Sequence, residues 1–138
     1  MRYMGLDLGT KTLGVSLSDP SGIIANALTT VFFPEGDYEQ AAREAIAIVD
    51  KQQVGKIVLG HPKNMDGSSG FQARLSADFR DLLSQKTAVP VVLWDERLTT
   101  RIAHQTMTSA KTRTKDKKQK VDQLAATILL QSYLDSGK

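Results

Sequence analysis

Apolar positions along this chain fall first in short runs and then at helical spacing, and the change of period marks out the elements. Three strand-like runs come first, at 2–8 (RYMGLDL), 14–18 (GVSLS) and 23–33 (IIANALTTVFF). Gly9 and Gly14 punctuate the first pair, and Asp19-Pro20-Ser21-Gly22 reads as the turn after the second. Asp37 then predicts a helix N-cap with Gln40 as its capping-box partner, and Ala42, Ala45, Ile46 and Val49 form an apolar stripe. The run 56–60 (KIVLG) is almost continuously apolar and predicts a buried strand. After a loop at 61–68, Ser69 and Gln72 predict a second capping box, and Phe71, Leu75, Phe79, Leu82 and Leu83 the stripe of its helix. Pro90 leads into a further buried strand, Val91–Trp94, that ends at Asp95-Glu96. A short helix is expected at about 99–108, and a last helix from about Lys118 that buries Val121, Leu124, Ala125, Ile128 and Leu129.

The predicted order is β-β-β-α-β-α-β-α-α. Three leading strands imply an antiparallel meander, and strands that alternate with helices imply parallel crossovers. The fold class is therefore α/β: a five-stranded mixed sheet with helices on both faces. No internal repeat interrupts it, and 138 residues are expected to form a single domain, 1–138, with one core.

Charge changes this picture at one place. The net charge is +3, but residues 111–120 (KTRTKDKKQK) hold six basic side chains and one acid, which leaves the remainder at −2. A slightly acidic body with one basic segment implies a polyanionic partner. The stretch 109–118 has almost no apolar residue, and a mobile basic loop is expected there. Cysteine is absent, which excludes disulfides, Cys-ligated zinc, iron–sulfur clusters and a thiol nucleophile. The first residues lack the apolar core of a signal peptide, and no run reaches the roughly 18 apolar residues of a membrane span. A cytoplasmic protein without membrane contact is expected.

Three acids carry the candidate chemistry. Asp7 sits in the otherwise apolar or glycine run 4–8, where a charge is costly unless paired, hydrogen-bonded or bound to a cation. Glu96 follows the apolar run VVLW, at the carboxyl end of its strand, where ligand sites of open α/β sheets gather. Asp122 borders the apolar stripe in the first turns of the last helix. Taken singly, each has a plain reading: a turn residue, a partner for Arg97 or Arg101, a helix-end charge. Taken together beside a basic segment, they form the oxygen donor set that Mg²⁺ or Mn²⁺ prefers, and three carboxylates suffice for two ions if one bridges both.

Four blocks carry a resemblance as well: MGLDLGTKTLGVSLSD, VLGHPKNMDGS, WDERLTT and KKQKVDQLAATILLQSYLD. In that order they resemble the YqgF (RuvX) family, described as nucleases of precursor 16S ribosomal RNA or as Holliday-junction resolvases, with a ribonuclease H-like fold. The resemblance spans essentially the whole chain. It implies that Asp7, Glu96 and Asp122 are the catalytic acids. Gly5, Gly9, Thr10 and Lys11 match the first block, and Arg97, Leu98 and Thr99 accompany Glu96. His61 stands where such sequences commonly have Leu.

The remaining polar features point to phosphate. The loop at 60–68 puts Lys63 and Asn64 between a strand and a helix start, where amides and a cation can cradle a phosphate. Thr10, Lys11, Arg97, Lys111, Arg113, Lys115, Lys117 and Lys118 are further candidate contacts to a nucleic-acid backbone. The combined expectation is a two-metal nuclease that leaves a 5′-phosphate and a 3′-hydroxyl. By resemblance it processes the 5′ end of precursor 16S rRNA in ribosome biogenesis. The alternatives are resolution of branched DNA, which calls for a homodimer rather than a monomer, and a ribosome-assembly factor that binds RNA without cutting it. The run GLDLGTKT also resembles a phosphate loop of two-lobed ATPases, but 138 residues leave no room for the second lobe.

Overall fold

The first strand is the centre of the molecule because every other element packs on it or on its neighbours. The computed structural model describes residues 1–61, 71–95 and 114–136, with side chains at 1–60, 74–94 and 123–136. In chain order the elements are β1 (Arg2–Leu8), β2 (Thr12–Ser18), β3 (Ala25–Phe32), α1 (Tyr38–Gln52), β4 (Val54–His61), α2 (Phe71–Lys86), β5 (Val91–Asp95) and α3 (Thr114–Asp135). The sheet order is β3-β2-β1-β4-β5. β1 pairs antiparallel with β2, and β2 with β3. β1–β4 and β4–β5 are parallel. The expected meander and parallel crossovers are both present. The carboxyl ends of β1, β4 and β5 accordingly share one edge of the sheet.

Strand alternation divides two cores. Met4, Leu6, Leu8, Leu13, Val15, Leu17, Ile57 and Leu59 face α1 and α2, where Ala41, Ala42, Ala45, Val49, Phe79 and Leu83 meet them. On the other face Tyr3 and Val58 pack against Leu129, Leu130, Tyr133 and Leu134 of α3, with Val92 and Trp94 at the margin. Burying each leucine of this set contributes about 1.5–3 kcal/mol. Helices therefore cover both faces, as the sequence predicts.

Local chemistry explains where the elements begin and end. The Asp37 carboxylate accepts from the Gln40 amide at 3.2 Å and opens α1, and Gln53, at φ 55°, closes it in the left-handed region. β3 starts at Ala25, two residues later than its apolar run predicts. Asp19 Oδ1 accepts from the Ile23 and Ile24 amides at 2.7 and 2.9 Å, and Oδ2 from Ser21 at 3.2 Å. Those amides are withdrawn from the ladder, and Ile23 and Ile24 stay exposed. β2 starts two residues early, at Thr12, because the Gly9 amide donates to Thr12 O at 2.7 Å and tightens the hairpin. Gly14 lies inside the strand, opposite Asp7, and not in a turn.

The last helix also starts early. α3 begins at Thr114, four residues before Lys118, so 114–118 of the expected basic loop are helical. Lys, three of these five residues, is a good helix former, and the stretch holds no glycine or proline. The helix expected at 99–108, the rest of the loop at 109–113 and Ser69 lie outside the described residues. Among the described residues no helix is long and apolar enough to cross a membrane.

Candidate active site

The site is built where α3 crosses β1. Tyr3, Gly5 and Asp7 share one face of β1, with Tyr3 packed on Tyr133 at 6.1 Å between ring centroids. Two residues on, a Cβ at Gly5 would stand 2.9 Å from Ala126 O and 2.8 Å from Leu130 Cβ. Only glycine admits the helix this closely. Ser16, fully buried on β2, donates its hydroxyl to Ala126 O at 2.8 Å. As β1 ascends, α3 descends in number: Tyr133, Leu130 and Ala126 succeed one another along the strand.

Asp7 is the next position up this face of β1, half-buried, and its cross-strand neighbour Gly14 offers no side chain. Asp122 lies one helical turn before Ala126 on the stripe that Ala126 and Leu130 continue. It occupies the third turn of α3, because the helix starts at Thr114. The backbones that carry these two acids thus lie towards the same end of one sheet face. β5 ends at Asp95, at the edge where β1 also ends; Glu96, the next residue in sequence, lies outside the described residues. Of the three acids, Asp7 alone has a described side chain.

The phosphate-contact candidates divide in the same way. Thr10 and the exposed Lys11 form the β1–β2 turn above Asp7. Their carbonyls accept from the Gly36 and Phe33 amides at 3.2 and 3.0 Å, which ties the turn to the start of α1. Lys115, Lys117 and Lys118 stand on the opening turns of α3. Lys63, Asn64, Arg97, Lys111 and Arg113 lie outside the described residues. Sequence reading did not single out Ser16. The available signal was a hydroxyl in a strand whose seven residues are all buried, since such a group needs a partner.

The RuvX family, described as Holliday junction resolvase, matches residues 1–136. This chain belongs to the RuvX family. A Geobacillus sp. (strain WCH70) relative is 45% identical over 136 residues, covering 99% of both chains. One from Bacillus subtilis (strain 168) is 43% identical over the same length and coverage. Both bear the provisional name pre-16S rRNA nuclease. T. thermophilus RuvC, solved in complex with a Holliday junction substrate, is similar in fold, with a TM-score of 0.60 at 12% identity over 99% of this chain and 96% of that one. The architecture is that of the RuvC-like, ribonuclease H-like resolvases.

Proposed function

We propose that this family member is a divalent-metal-dependent nuclease of structured nucleic acid, and that it processes the 5′ end of precursor 16S ribosomal RNA. The observation that carries the reading is the crossing of α3 over β1. It brings the backbones of Asp7 and Asp122 to the edge at which β5 hands the chain on to Glu96.

The donor set fits Mg²⁺ or Mn²⁺: three carboxylates, in a chain without cysteine, are hard oxygen ligands. Asp7, Glu96 and Asp122 would hold the ions. Such ions supply activation of water and stabilisation of the leaving oxygen at a phosphodiester. The chain's own cations do the binding. Thr10 and Lys11 meet phosphate beside Asp7, and Lys115, Lys117 and Lys118 draw the backbone towards Asp122. Lys63, Asn64, Arg97, Lys111 and Arg113 extend this surface, and one domain, 1–138, carries all of it. Ribosome assembly as the setting implies a cytoplasmic protein.

The relatives' name favours RNA, on which a monomer suffices. The family's description favours a second substrate, a four-way DNA junction, where paired cuts call for a homodimer. Purified protein incubated with both substrates, with Mn²⁺ and with chelator, decides between them by mapping of the cleaved ends. Cuts at the 5′ end of the RNA precursor, abolished by Asp7→Asn, are expected. Equal trace cleavage by wild type and Asp7→Asn would sink the nuclease reading.

A further inference from the structure

We propose that Gly5 and Ser16 are positioning residues that set the spacing between Asp7 and Asp122; the proposal rests on the metal reading above. The strand and the helix touch through backbone at this point. A Cβ on residue 5 would meet Ser16 Oγ at 2.5 Å, Leu130 Cβ at 2.8 Å and Ala126 O at 2.9 Å. All three are well inside the ~3.5–4.0 Å of ordinary contact. Ser16 then ties the same carbonyl down, donating to Ala126 O at 2.8 Å from a fully buried position. A hydroxyl that spans from β2 to a helix carbonyl holds the height of α3 over the sheet.

From this contact the two acids lie in the same direction at nearly the same distance. Asp7 is two residues along β1, ~6.6 Å at the strand rise. Asp122 is four residues back along α3, ~6 Å at the helix rise. The opposite direction leads to the Tyr3–Tyr133 pair. With equal arms, the gap between the acid-bearing backbones follows the gap at Gly5. Relieving an added Cβ would move the helix by ~0.6 Å or more, to reach ordinary contact. Mg²⁺ demands near-ideal octahedral geometry, and ligand distances at metal sites hold within about 0.2 Å. A shift of that size is large enough to be felt in metal binding.

Ser18 supplies the matched comparison. It lies two residues further along β2 on the same face and is also buried. Its hydrogen bonds are confined to β1 and the adjoining turn: it accepts from the Tyr3 amide at 2.8 Å and donates to Asp19 O at 2.9 Å. Its removal costs packing and a hydrogen bond, but none of these contacts bears on α3.

The test titrates Mn²⁺ alone into wild type, Gly5→Ala, Ser16→Ala, Ser18→Ala and Asp7→Asn by calorimetry, with the unfolding temperature of each recorded. Nuclease kcat and KM are measured at saturating Mn²⁺. Gly5→Ala and Ser16→Ala should raise the Mn²⁺ Kd about tenfold, the range of outer-sphere support at metal sites, and lower kcat with KM nearly unchanged. Ser18→Ala should keep its Kd within about twofold of wild type even where its unfolding temperature falls as far, because it touches no part of the acid spacing. If Gly5→Ala does not fold, Ser16→Ala carries the comparison. Equal Kd values for Ser16→Ala and Ser18→Ala, with Asp7→Asn still abolishing binding, overturn the spacing role alone. Mn²⁺ binding that Asp7→Asn leaves unaltered removes the metal reading and the spacing role together.

Discussion

Replacing Tyr133 by leucine measures how firmly the sheet holds the helix that carries Asp122. The Tyr133 ring is buried between two aromatic neighbours, Tyr3 at 6.1 Å and 53° and Trp94 at 5.2 Å and 88°. Lys56 Nζ stands 5.4 Å from the ring centroid, and its interaction with Tyr133 raises the Lys56 pKa above its ordinary value. Leucine keeps most of the apolar burial and loses the ring geometry. Two aromatic pairs at about 0.5–1.5 kcal/mol each, and a solvent-screened cation–π contact of about 0.5 kcal/mol, give a loss of about 2–3 kcal/mol. For a chain of this length that corresponds to a fall in Tm of about 8–12 °C. Trp94 is the sole tryptophan and packs edge-on against this ring, so its emission reports the transition directly in a urea titration. The midpoint should fall with m unchanged. Tyr133→Phe, which retains both ring pairs, should lose well under half as much. A Tyr133→Leu loss below about 0.5 kcal/mol, inside the range of a neutral surface change, would show that the ring cluster does not anchor α3.

Three further outcomes follow from named contacts. Three backbone amides, those of Ile24 first, then Ile23 and Ser21, lower the Asp19 pKa below 3.8. That contribution is present above pH 3.8 and disappears as pH falls through the lower folded-state value, so Asp19→Asn should be less stable than wild type at pH 7, with the gap closing in acid unfolding series. Replacing Lys115, Lys117 and Lys118 together by alanine should flatten the slope of log affinity against log salt by about 2–3, at about 0.9 per duplex phosphate contact. Fluorescence anisotropy across a salt series checks it, and an unchanged slope removes these cations from the interface. Asp37→Ala should cost about 1 kcal/mol through the lost α1 cap, read by chemical denaturation, and leave cleavage at the wild-type rate.

Sequence alone determined the features that depend on neighbours along the chain. The Asp37 cap and the Ala42–Ala45–Val49 stripe are local, and their helix lies where the spacing predicts. The meander and the crossovers follow from element order. The same logic singled out Asp7, because a charge inside an apolar strand has few structural excuses. It failed where a side chain or a composition competed with the pattern. Ile23 and Ile24 read as strand until the Asp19 carboxylate takes their amides. The lysines of 115–118 read as loop although nothing in them resists a helix.

Tertiary structure decided everything that joins distant parts of the chain. Nothing near Ser16 in sequence announces a bond to Ala126, 110 residues away. Nothing near Gly5 says that a helix backbone will rest on it. The approach of the Asp7 and Asp122 backbones depends on that contact. Periodicity reports which face of an element is apolar, because it arises from the geometry of a few successive residues. Which partner fills that face, and at what height, is settled by packing among elements, and packing has no period to read.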